Sequence, residues 1–145
     1  MNEQDRELLF IDLCGRIPYK VRMFEIEPIN DIQSNLTLQS ISNKASVICI
    51  TPSGGVIGSS IDAFKPYLFP LSSMTEEQRE EFLNIQTEER QILLNALIEY
   101  KSGKYDKIPI IAPYKQIEWL NKNHFDYRGL IEKSLALDAT NLNIY

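Results

Sequence analysis

Apolar and polar positions along the chain change their period twice. Leu8, Leu9, Ile11, Leu13 and Cys14 recur closely enough to make one broad helix face, which predicts a helix over 2–14. Asn2 or Asp5 can cap it, Glu3 and Glu7 suit its first turn, and Gly15 can end it. Pro18 then pushes Ile17 into an extended conformation. From Tyr19 to about Phe64 the texture becomes β. Strands are predicted at Tyr19–Glu27, Asn35–Ser42, Ala45–Thr51 and Val56–Ile61, with turns at Pro28–Asn30, Asn43-Lys44 and Pro52–Gly55. Leu36 and Leu38 alternate with polar residues. Val47–Ile50 is a continuous apolar run, as in a strand buried on both faces. Strand spacing of about ten residues predicts an antiparallel meander, a curled sheet or small barrel of roughly four or five strands.

Lys65–Pro70 carries two prolines and is predicted as an extended connector rather than helix or central strand. Its large side chains, Tyr67, Leu68 and Phe69, either tuck into the core or stand exposed as a partner-binding segment. Thr75 and Gln78 fit a capping box, with Glu76 and Glu77 in the first turn. Phe82, Ile85, Ile92, Leu93, Ala96, Leu97 and Tyr100 follow at helical spacing. A break is expected near Gln86-Thr87, and Ser102-Gly103 can end the second helix. Residues 104–113 are a connector whose run Ile108–Ala112 suits an edge strand. Pro113 can open a further helix over Tyr114–Asn123, with Ile117 and Leu120 on one face and Trp119 beside them. Arg128-Gly129 breaks the chain before the short apolar element Leu130–Leu137. The fold class expected is α+β in a single domain over 1–145: helix plus β-meander in 1–64, connector in 65–74, helical half in 75–137.

Composition narrows the chemistry. At 145 residues the chain can bury a core of its own without disulfide or metal. His124 is the one histidine, and Cys14 and Cys49 are the two cysteines, so there is no zinc-ligand spacing. Phosphate-loop, dinucleotide and nucleophile-elbow motifs are absent, and Gly54-Gly55 reads as a hairpin turn rather than a phosphate cradle. No metal site and no cofactor are therefore expected. The start of the chain lacks the basic segment and long apolar core of a secretory signal, and no apolar run approaches the roughly 18 residues of a membrane helix. The expected location is the cytoplasm, with reduced thiols.

Charge sharpens this. The whole chain is net −5, with a pI of about 4.9. Residues 71–100 alone are net −5, whereas 101–133 are net +3 and include Trp119, Phe125 and Tyr127. Cations beside aromatics suit an anionic ligand, a nucleotide or a nucleic-acid strand, by stacking plus charge. The acidic total argues against tight duplex binding. The densest polar and aromatic stretch is Trp119–Gly129. In one reading Asp126 orients His124 and Arg128 forks onto an anion. In the other the stretch docks a helix on a sheet, with Phe125 and Tyr127 in the core and Asp126 and Arg128 pairing locally or capping. The candidate ligand- or partner-binding residues are Trp119, Lys122, His124, Asp126, Tyr127 and Arg128, with Tyr67 and Phe69 from the proline-flanked segment. No residue is assigned as catalytic.

Segments 7–19, 65–77 and 119–133 resemble stretches of small proteins encoded by prophages and mobile elements of gut bacteria. That family has no established activity, so no residue roles come with it. The resemblance implies a phage context inside a host cell. The function expected is that of a non-enzymatic binding protein, one that counters host defence by binding a host protein or sequestering a small anionic nucleotide signal. The alternatives are a nucleic-acid-associated phage module and a small hydrolase using His124. An exposed Tyr67/Phe69 segment or an unpaired edge strand would favour homo-oligomers.

Overall fold

A computed structural model describes residues 1–26, 36–42, 46–101 and 114–145. They fall into two compact units, residues 1–73 with 121–145, and residues 74–120. The expected turns at Pro28–Asn30 and Asn43-Lys44, the stop at Ser102-Gly103, the edge strand Ile108–Ala112 and the helix start at Pro113 lie outside the described residues.

The first unit is α+β. Helix α1 spans Glu3–Arg16, and Asn2 caps it by accepting the Asp5 N–H at 2.8 Å. Gly15 lies inside this helix rather than ending it. A Cβ there would come 2.9 Å from Asn121 Nδ2, so glycine serves a close approach. The buried positions Leu9, Asp12, Leu13 and Arg16 share one face of α1. That face packs on strands β1 (Arg22–Glu25), β2 (Leu36–Ser42), β3 (Ser46–Ile50) and β5 (Phe64–Pro70), with β4 (Val56–Ser60) beyond β3. Met23, Leu36, Leu38, Val47, Cys49, Phe64 and Leu68 form the sheet's side of the core.

Ile17 is not extended before Pro18 but helical, φ −49° and ψ −46°, in a 3-10 turn over Ile17–Tyr19. Further expectations need correction here. The sheet is not closed into a barrel. Among the described residues it is an open mixed sheet of seven strands in the order β4-β3-β2-β1-β5-β6, with β7 also on β5. The extra strands are β6 (Phe125–Asp126) and β7 (Leu137–Asp138), two-residue pieces too short to have a periodicity. They pair with β5 in parallel. Next, β3 is buried on one face: Val47 and Cys49 are inside, while Ile48 and Ile50 are half-exposed.

The supposed connector 65–70 is strand β5, and it lies inside the sheet. The prolines are tolerated for a reason visible in the ladder. Ile26 N–H donates to Ala63 O at 2.9 Å, which makes Glu25/Phe64 a non-hydrogen-bonded antiparallel pair. By alternation Met23/Pro66 is another, so the N–H that Pro66 lacks would point away from β1. Pro70 is the strand's last residue. Of the two readings of Tyr67 and Leu68, burial in the core is the one observed, and Phe69 is half-buried.

The second unit holds another correction. The capping box forms, with Thr75 N–H donating to Gln78 Oε1 at 3.0 Å and Gln78 N–H to Thr75 Oγ1 at 3.2 Å. Helix α2 then runs unbroken over Glu76–Lys101. Thr87 does not open a new helix, because its hydroxyl donates back to Leu83 O at 2.9 Å within α2. Helix α3, Tyr114–Lys122, is held at its start by α2. The buried Glu89 carboxylate accepts the Lys115 N–H at 2.9 Å and Gln116 Nε2 at 2.6 Å, supplying an acceptor that a helix N-terminus needs. Trp119 packs on Phe82, ring centroids 5.4 Å apart. Among the described residues no helix is long and apolar enough to cross a membrane.

Candidate functional site

The chain reverses after α3 through a turn in which His124 takes a left-handed φ of +58° and Gly129 one of +72°. Asp126 organises this turn. Its carboxylate accepts the backbone N–H groups of Arg128 (3.3 Å), Leu130 (3.0 Å) and Ile131 (2.8 Å). It therefore caps the following turn and does not orient His124. Of the two readings of this stretch, the geometry matches local capping.

Two groupings emerge from the candidates. In the first, α1 presents Asp12 and Arg16, both with no solvent exposure. Arg16 Nε and Nη2 donate to the Asp12 carboxylate at 2.6 and 3.0 Å, and Nη2 also donates to Phe125 O at 2.8 Å. Arg128 Nε lies 3.5 Å from the same carboxylate. Both guanidiniums sit against the Tyr127 ring, 5.6 Å from its centroid for Arg16 and 5.0 Å for Arg128. Tyr127 in turn donates its hydroxyl to Asn121 Oδ1 at 3.1 Å. Arg128, read as an anion fork, is thus turned inward onto Asp12.

The second grouping gathers around Tyr145. Its ring stacks on His124 at 3.9 Å and 15°, and lies 5.6 Å from the Phe69 ring. Its hydroxyl donates to Tyr67 O at 2.7 Å and accepts from Arg22 N–H at 3.0 Å. In the antiparallel register, Arg22 and Tyr67 are the next pair after Met23/Pro66. The tyrosine hydroxyl therefore sits inside the β1–β5 ladder, bridging the two groups that would otherwise bond directly. Beyond it β1 has left β5, and Phe69 N–H donates instead to His124 O at 2.9 Å, where β6 begins. Burial holds the Tyr145 hydroxyl well above the usual phenol range.

The remaining candidates stand apart. Trp119 belongs to the unit 74–120, and Lys122 is exposed at the last turn of α3. Tyr67 meets Phe24 edge-on at 6.2 Å. No family model, curated protein or solved structure matches this chain. The site must speak through its chemistry alone.

Its titratable groups are largely buried. His124 is buried, its Nδ1 meets no hydrogen-bond partner among the described residues, and desolvation with the nearby Arg16 and Arg22 charges lowers its pKa to about 4. A base so weak is mismatched to proton transfer near neutral pH. Burial pushes the Cys49 thiol up to about 12, with Glu25 adding to it, and burial also raises Cys14. Neither is an activated nucleophile. A groove of about 370 Å³ runs beside Phe69, Ala139 and residues 141–145, and among the described residues no cationic side chain lines it. Among the described residues no cluster of three or more His, Cys, Asp or Glu could hold a metal.

The His124 environment has a measurable consequence. The folded pKa lies below the unfolded value of about 6.5, so the unfolded state binds the extra proton. Stability contributed by neutral His124 is complete above pH 6.5 and is lost as pH falls toward 4, at no more than about 1.4 kcal/mol per pH unit. Denaturant unfolding of the wild type and His124→Asn between pH 4 and 7 checks this. Asparagine tolerates the left-handed backbone and removes the titration. The wild type is expected to lose more stability than the variant over that range, and parallel curves would refute it.

Asp12, Arg16 and Tyr145 were not singled out by sequence. Asp12 and Arg16 had a signal, two ionisable residues four apart on an otherwise apolar helix face. Tyr145 had none, since its role depends on where β1 and β5 part.

Proposed function

We propose that this protein is a non-enzymatic binding protein that presents α2 to another protein, and that in a phage context the partner is a host protein of the defence machinery. The observation that carries this reading is a row of exposed apolar side chains. Leu83, Leu94 and Ile98 occupy one side of α2, and Ile98 keeps 64% of its surface accessible. Ile92 and Leu93 are also exposed. Helices that bury one face and leave large apolar residues on another are dressed for a second contact. Glu76 and Glu80 continue the same row toward the helix start, and Glu77, Glu81 and Glu88 flank it, all exposed. The complementary surface is an apolar groove bordered by lysine or arginine, the helix-in-groove mode with anchors at helical spacing.

A photo-crosslinking residue placed at Asn95 identifies the partner, and titration with the purified partner gives the affinity. Leu94→Glu/Ile98→Glu is expected to weaken binding by about 100-fold, the scale of hot-spot loss, and added salt is expected to weaken it further. Binding that ignores both substitutions would overturn the reading. A rise in melting temperature with a nucleotide would instead favour the anionic-ligand alternative.

A further inference from the structure

We infer that strand β4 is a docking edge for a second copy of this chain, forming an antiparallel β4–β4 pair centred on Gly58. This proposal uses none of the α2 residues, so each proposal stands or fails alone.

The ladder determines which groups face outward. Thr51 N–H donates to Gly55 O at 2.8 Å, which makes Ile50/Val56 a non-hydrogen-bonded pair of the β3–β4 hairpin. By alternation Cys49/Ile57 and Val47/Ser59 are the bonded pairs, while Ile48/Gly58 and Ser46/Ser60 are not. The backbone N–H and C=O of Val56 and Gly58 and the N–H of Ser60 therefore point away from β3, while the Ser60 C=O opens the 3-10 turn Ile61–Ala63. Among the described residues no strand pairs with that edge. The three residues are exposed, Val56 at 71%.

Natural sheets protect such edges with charge, proline, bulges or shortness. Val56–Ser60 holds no charged residue and no proline, and its register against β3 runs without a shift, whereas β2–β3 is irregular between Leu38 and Ser40. The occupant follows from symmetry. The outward groups are centred on Gly58, so a two-fold axis there sets Gly58 opposite Gly58 and Val56 opposite Ser60. The two Gly58 residues then exchange their N–H···O=C bonds and each Ser60 N–H meets the opposite Val56 C=O, with only small side chains at the centre. This is the self-complementary contact of an isologous dimer. Two short strands bury little area, so the dimer is expected to be weak and concentration-dependent.

Sedimentation over a concentration series tests this. The wild type is expected to pass from monomer to dimer. Gly58→Pro removes only an outward N–H and should raise the dissociation constant at least about 10-fold, with the circular dichroism and melting temperature of the fold retained. A side chain at Gly58 meets only ordinary contacts at 3.9 Å from Ile48 Cγ1 and Val47 O, so charged variants are accommodated. Gly58→Lys and Gly58→Glu should each be monomeric alone and form a dimer when mixed, since like charges then face each other only in the unmixed samples. This pair decides the matter if the proline variant does not fold. A wild type monomeric up to about 1 mM, or a dimer that persists in Gly58→Lys, would overturn the inference.

Discussion

Asp12→Ala is expected to lower the free energy of unfolding by about 3–5 kcal/mol, the cost of leaving a buried charge without its partner. Asp12 accepts two hydrogen bonds from Arg16 and lies 3.5 Å from Arg128 Nε, and neither Asp12 nor Arg16 has any solvent exposure. Arg16 already has one terminal nitrogen, Nη1, without a hydrogen-bond partner among the described residues. Losing Asp12 leaves Nε without an acceptor and Nη2 with Phe125 O alone, and water cannot reach them without opening the interface of α1 with β6. A fall in melting temperature of roughly 10 °C should accompany the loss. The double variant Asp12→Leu/Arg16→Met removes both charges and is expected to be less destabilised than Asp12→Ala, because a buried ion pair replaced by apolar groups is often neutral. Denaturant unfolding measures both. A loss under about 1 kcal/mol for Asp12→Ala would show that the pair is solvated in solution.

Tyr145→Ala is the second large effect, expected at about 2–4 kcal/mol from lost ring packing and lost hydrogen bonds together. The ring covers His124 and Phe69, and the hydroxyl joins Arg22 N–H to Tyr67 O. Tyr145→Phe separates the two contributions. It keeps the ring and leaves two strand groups facing each other across a gap, at about 1–3 kcal/mol. Hydrogen exchange supplies the local check: the Arg22 amide should exchange faster in Tyr145→Phe than in the wild type. Unchanged protection would mean that β1 and β5 close directly on each other without the hydroxyl.

Both effects involve residues whose importance is a property of position in space. Sequence pattern located Leu36–Ser42 to within a residue because a half-buried strand records its environment in alternate side chains, and it located Ser46–Ile50 to within a residue from a short apolar run bounded by turn residues. It located the cap at Thr75 and offered Asn2 as one of two caps for α1, because capping is a contact over three residues. Strand β5 was misjudged for an equally physical reason. Proline removes a donor, but whether a partner misses that donor depends on register, and register is set by β1, far away in sequence. The apolar run Val47–Ile50 likewise suggested two buried faces, while among the described residues one helix, α1, packs on the sheet core.

The candidate site divides along the same line. Sequence alone determined that Trp119–Arg128 concentrates polar and aromatic groups, that zinc-ligand and nucleotide-loop motifs are missing, and that acidic charge gathers over residues 71–100. Only the tertiary structure decided that Asp126 spends its acceptors on backbone N–H groups, that Arg128 turns toward Asp12, and that His124 lies under Tyr145. Local composition fixes which interactions a segment is able to make. Which of them it makes is settled by partners brought from 78 to 123 residues away, as the two hydrogen bonds of Tyr145 illustrate. Those contacts leave no period in the sequence to read.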